Sequence, residues 1–117
     1  MKSEDPAVLV LKNEELSAVA FVRDYVEFHF DGMILRALAN PSLIVEGQRF
    51  DFPALGSRDA LCGLIGQVVE NISIDALRAR FEFSNRAELY IPFDEQARVG
   101  PEAMHFLREV GGPLEVW

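Results

Sequence analysis

Asp31-Gly32 sits between two runs of alternating apolar residues and leaves the chain around it few ways to fold. Val26, Phe28 and Phe30 alternate with Glu27, His29 and Asp31, the period of a half-buried strand. An Asp-Gly pair tolerates positive φ at both central positions of a two-residue hairpin turn. With a two-residue loop, Phe30 faces Met33, Phe28 faces Leu35 and Val26 faces Ala37, so all six share one face. The other face sets Glu27 against Arg36, a cross-strand ion pair worth about a few tenths of a kcal/mol if exposed. Turn chemistry, apolar face and charge pairing agree on one register.

Two further hairpins follow the same logic. Leu43 and Val45 precede Gly47-Gln48, and Phe50 and Phe52 follow it. With Gly47 first in the turn, Glu46 is expected opposite Arg49, Val45 opposite Phe50 and Leu43 opposite Phe52, and Pro53 ends the strand. Later, Leu77, Ala79, Phe81 and Phe83 form one apolar row and Ala87, Leu89, Ile91 and Phe93 the returning one. These rows share a face only across an odd loop, most simply Ser84-Asn85-Arg86. Pro92 cannot donate to a ladder, which predicts a sheet edge at that end. Upstream, Leu16, Ala18, Ala20 and Val22 extend the first alternation, with Arg23-Asp24 expected as a bulge or bend. Ala7 to Leu11 reads as a short strand turned by Lys12-Asn13-Glu14.

Between the second and third hairpins a helix is expected over about 57–66. Ser57 suits its N-cap, Asp59 suits the positive end of its dipole, and Leu61, Leu64, Ile65 and Val68 recur at helical spacing. Gly66 is the expected stop. Val68 to Ile74 then reads as a buried strand. The last segment has two readings: a helix opened by Pro101-Glu102 with Ala103, Phe106, Leu107 and Val110 on one face, or a hairpin across Gly111-Gly112-Pro113.

The fold class implied is α+β: mostly antiparallel hairpins in a curved or rolled sheet packed on one central helix. At 117 residues the chain is one domain, 1–117, with residues 1–6 expected to be disordered. Its expected core is Val26, Phe28, Phe30, Met33, Leu35, Leu61, Leu64, Ile65, Phe81, Phe83, Leu89 and Ile91.

Charge and residue types narrow the function classes. A net charge of −8 repels a phosphate backbone, so no nucleic acid is expected, and it attracts a basic protein partner. A single cysteine allows no internal disulfide. The charged start Met1 to Pro6 lacks the long apolar core of a signal peptide, and no stretch is apolar enough to span a bilayer, so no membrane and a cytoplasmic location are expected. One Cys and two His at unrelated spacings make no structural zinc site, and no phosphate loop or nucleophile elbow is present, so no cofactor is expected. Cys62 reads as a buried small hydrophobe. His105 reads as half-buried packing or surface.

The candidate partner or ligand surface is Tyr25, Glu27, His29, Arg36, Tyr90 and Trp117. Glu27, His29 and Asp31 point to one side of a strand, which a metal or acid–base cluster or a plain solvated face would equally produce. Tyr25 and Tyr90 fall on the polar faces of their strands and Trp117 is the final residue; such aromatics anchor interfaces, or else lie under a second layer.

Three stretches carry a resemblance: Phe21-Val22-Arg23-Asp24-Tyr25-Val26-Glu27-Phe28-His29-Phe30-Asp31-Gly32, Arg58-Asp59-Ala60-Leu61-Cys62-Gly63-Leu64-Ile65-Gly66, and Gly100-Pro101-Glu102-Ala103 with a closing Val116-Trp117. They resemble a group of small acidic bacterial proteins of unknown function, similar in size and charge to immunity proteins that neutralise secreted toxins. The resemblance spans most of the chain and brings no active site. It implies a terminal hairpin and a non-enzymatic protein-binding module. A small-ligand-binding domain or small enzyme using His29, Tyr25 or Glu27, and a structural homodimer, stand as the alternatives.

Overall fold

A computed structural model describes residues 6–98 and 100–117. Apart from Pro6, the expected disorder of residues 1–6 lies outside the described residues. Among the described residues ten strands form two antiparallel sheets, with one short α-helix and two 3-10 helices. The strands are β1 (Ala18–Val22), β2 (Tyr25–Phe30), β3 (Met33–Ala37), β4 (Ser42–Val45), β5 (Gln48–Asp51), β6 (Val69–Ile74), β7 (Arg78–Phe83), β8 (Glu88–Pro92), β9 (Met104–Leu107) and β10 (Leu114–Val116). The first sheet has the order β1-β2-β3-β9-β10 and the second β5-β4-β8-β7-β6.

The β2–β3 hairpin has the expected register, with Phe30 opposite Met33, Phe28 opposite Leu35 and Val26 opposite Ala37. Its turn residues Asp31 and Gly32 have φ of 50° and 99°, the mirror-image turn that follows the strand twist. The β7–β8 hairpin also matches: Phe81 faces Leu89, Ala79 faces Ile91, and Ser84-Asn85-Arg86 closes the loop with Arg86 at φ 69°. The β4–β5 hairpin differs. Its turn is Glu46-Gly47, with φ of 51° and 79°, so Leu43 faces Phe50 and Ile44 faces Arg49. Sliding the pairing by two residues keeps the apolar face intact, so alternation alone could not choose between the registers.

Other expectations change for physical reasons. Arg23-Asp24 reverses the chain, and Ala20 on β1 pairs with Glu27 on β2 instead of continuing the same strand. Ala7–Leu11 forms a 3-10 helix, in which Val8 and Leu11, three apart, are buried together. The helix α1 covers Ser57–Cys62, shorter than the expected span to 66. Gly56, in a left-handed conformation, precedes it, and the buried Ser57 hydroxyl makes no capping bond. Beyond Cys62 the bonds tighten to Leu64 N–H on Leu61 and Ile65 N–H on Cys62, and Gly66 turns the chain at φ 91°. Leu61 and Leu64 are buried, whereas Ile65 is 45% exposed and Met33 only half-buried, against the expected core. The other eight expected core residues are buried.

β6 is an edge strand, largely exposed beyond Val69, and not the expected buried strand. β8 is interior, yet Pro92 lies beyond Tyr90, the last β8 residue paired with β4. Because Phe93 N–H bonds to Leu77 on the β7 side, the imide nitrogen of Pro92 falls on the β4 side, where no donor is needed. The terminal segment is the hairpin β9–β10. Met104 and Phe106 alternate inward, and the strand completes the free edge of β3, Leu35 facing Phe106.

The two sheets share one apolar core, with Phe28, Phe30, Leu35 and Phe106 from the first and Leu43, Phe81, Phe83 and Leu89 from the second. Short segments close its open sides. α1 packs on β1, β4 and β5, and Phe21 stacks on Phe52 with ring centroids 5.9 Å apart. On the other side the 3-10 helix joins the sheets: Ala7 and Val8 N–H donate to Glu115 on β10, and Asn13 N–H donates to Val69 on β6. Among the described residues no helix is long and apolar enough to cross a membrane.

Candidate functional site

With the inner faces occupied by the core, anything the chain recognises must meet its outer faces, edges or loops. The registers of the first sheet place two rows of side chains across its outer face. One row runs Ala20, Glu27, Arg36, His105 and Val116; the next runs Ala18, His29, Ile34, Leu107 and Leu114. An antiparallel sheet facing water usually carries polar residues on that side. Here the β3, β9 and β10 side of the outer face is apolar: Leu114 and Val116 are each 44% exposed with Ile34 and Leu107 half-buried beside them, while Val22, 37% exposed, stands at the opposite edge on β1.

The polar groups in the middle of this face are bonded to one another. Arg36 Nε donates to Glu27 Oε2 at 2.7 Å, and His29 Nε2 lies 3.1 Å from Glu27 Oε1. Burial pushes the Glu27 carboxyl up, but the hydrogen bonds and positive charge of Arg36 and His29 outweigh it and hold the group below its ordinary value. Asp31 does not join them; it stands in the turn, where its N–H donates to Ser17 Oγ. Beside this network His105 Nε2 lies 2.5 Å from Glu102 Oε1, with a side chain 15% exposed. Tyr25, Asp24, Leu38, Pro101, Glu102 and His105 border an open groove of about 310 Å³.

Four of the six residues singled out from the sequence, Tyr25, Glu27, His29 and Arg36, therefore lie on one face. The other two do not. Tyr90 lies on the outer face of the second sheet, where its hydroxyl donates to Glu88 at 2.7 Å and the Arg78 guanidinium covers its ring at 4.7 Å from the centroid. Trp117 pairs through its backbone with Met104 and packs partly buried against the core. Cys62, expected to be buried, is exposed, because α1 ends there and its buried side is carried by Leu61. Among the described residues no group of three or more His, Cys, Asp or Glu could hold a metal ion.

Sequence reasoning missed Ile34, Leu107, Leu114 and Val116 as parts of one surface. Alternation does place Ile34 outside the first hairpin. The other three belong to the terminal segment, whose period allowed a helix, and only pairing of β9 with β3 brings them alongside. No known protein family, curated protein or solved structure matches the chain.

Proposed function

We propose that this chain is a non-enzymatic protein-binding module, acting as immunity proteins do, whose docking face is the outer face of the first sheet and whose partner is a basic protein. The observation that carries the reading is the apolar surface of Ile34, Leu107, Leu114 and Val116 on the adjoining strands β3, β9 and β10, with Leu114 and Val116 each 44% exposed. Contiguous exposed apolar surface on a sheet is a common mark of a contact site. The Glu27–Arg36–His29 network supports it, since these groups already satisfy one another and could be covered without stranding a charge. The net charge bears on the partner: −8 disfavours a second copy at long range and favours a basic protein.

The experiment is capture from a lysate of the source cells at low and high salt, with the wild-type protein and a Leu114→Glu/Val116→Glu double variant. Both positions are exposed, so the variant should fold, and circular dichroism checks it. A stoichiometric basic partner, lost at high salt and lost with the variant, supports the reading; one held equally by the variant, or none at all, refutes it. Self-association of the wild type that the variant abolishes would point to a homodimer instead.

A second reading rests on the groove at Tyr25, Leu38, Glu102 and His105, where an apolar wall meets a His–Glu pair. It makes the chain a small-ligand-binding domain. Saturable ligand-induced shifts in the imidazole resonances of His105, absent in a Tyr25→Ala variant, would favour it over the protein-binding reading.

A further inference from the structure

The outer face of the second sheet is built differently from that of the first. It carries Arg49, Arg78 and Arg80 with Asp51, Glu82 and Glu88, an even balance in a chain of net charge −8. Most of these charges are committed. Arg80 is held on Glu88 at 2.5 Å, and Arg49 gives its Nε to Asp51 Oδ1 at 2.8 Å. The same oxygen accepts the Ser42 hydroxyl at 2.7 Å. The terminal nitrogens of Arg49 are left with only a 3.4 Å approach to Ser42 Oγ. Arg78 forms no ion pair among the described residues and lies instead over the ring of Tyr90. That ring is itself fixed by its hydroxyl on Glu88, so the guanidinium is positioned in advance.

These groups border a groove of about 220 Å³ lined by Ser42, Ile44, Arg49, Arg78, Tyr90 and Pro92. Its floor comes from neighbouring strands, with Ser42 paired to Tyr90 and Pro92 to Arg78. One stacked, unpaired guanidinium and the free end of a second thus meet an apolar wall of Ile44 and Pro92. The geometry points to a binding site for a carboxylate carried on a small apolar body. The planar fork of Arg78 takes the carboxylate, the terminal nitrogens of Arg49 add to it, and the apolar body lies against Ile44 and Pro92. A monoanion fits better than a phosphate, because Asp51 and Glu88 stand close by and repel a second negative charge. The site lies on the other sheet from the proposed docking face and is independent of that reading.

A carboxylate of this kind comes from a free small acid or from the C-terminus of a peptide ending in an apolar residue. Backbone amide shifts of the 15N-labelled chain separate the two. The probes are sodium benzoate, acetyl-Ala-Leu with a free carboxylate, its C-terminal amide, and inorganic phosphate, each at matched ionic strength. Saturable shifts confined to β4, β5, β7 and β8 with benzoate or the free peptide, and none with the amide or phosphate, are expected. The probe that saturates at lower concentration identifies the source. Arg78→Gln, at an exposed position, should weaken binding by at least about tenfold, and Arg49→Gln by less. Shifts that follow ionic strength alone, equal binding of amide or phosphate, or unchanged binding in Arg78→Gln would overturn the proposal.

Discussion

Glu27 reaches Arg36 across the β2–β3 pair at 2.7 Å and His29 along its own strand at 3.1 Å, so one carboxylate ties together the centre of the first sheet's outer face. Its side chain is 14% exposed and that of Arg36 25%, which places the pair between a surface ion pair and a buried one. Glu27→Gln should therefore cost about 1–2 kcal/mol, more than a fully exposed pair, by leaving Arg36 partly unpaired. Urea denaturation of the two proteins measures it.

The same carboxylate sets a pH dependence. The Glu27 carboxyl lies below its ordinary value of 4.5 in the folded chain, so the unfolded chain binds its proton first as pH falls. Its contribution is thus fully present above about pH 5.5 and is lost as the pH drops through 4.5 toward the lower folded value. Glu88, lowered by its bonds from Arg80 and Tyr90, and Asp51, lowered by Ser42 and Arg49, act in the same direction. Thermal melts should show stability falling below pH 5, and the fall should be shallower in Glu27→Gln.

Phe28 is fully buried among residues of both sheets. Phe28→Ala should cost about 3–5 kcal/mol, from lost transfer energy and the cavity left behind. A change within about 0.5 kcal/mol in equilibrium unfolding would put Phe28 on the surface and undo the β2–β3 register.

The turn of the β4–β5 hairpin holds Glu46 at φ 51°, a conformation that costs a non-glycine residue energy. Glu46→Asn should stabilise the chain by up to about 1 kcal/mol, since Asn-Gly is the preferred pair for this turn. Were the turn at Gly47-Gln48, the substitution would fall on a strand and do nothing or harm. Denaturation midpoints decide between them.

Ser57 tests the start of α1. An N-cap serine replaced by alanine loses about 1 kcal/mol. Ser57 is buried inside the first turn with no partner for its hydroxyl among the described residues, so Ser57→Ala should change stability by less than about 0.5 kcal/mol.

What could be read from the sequence was local in origin. Asp31-Gly32 and the row Val26, Phe28, Phe30 determined the β2–β3 register, because turn geometry and side-chain alternation act over a few residues. The odd loop at 84–86 followed from the same parity argument. Four of six candidate surface residues shared a face because they belong to that first hairpin. Where two local solutions were close in energy, tertiary contacts chose. Val8 and Leu11 fill the core at a spacing of three, so an apolar run with strand-like residues became a 3-10 helix. The free edge of β3 needed backbone partners, and residues 104–107 met that need as a strand although their period also allowed a helix. The same pairing, between residues about seventy positions apart, assembled the apolar outer face from Ile34, Leu107, Leu114 and Val116. Alternation tells each strand which side is apolar; only the packing of one hairpin against another tells it which strand lies next to it.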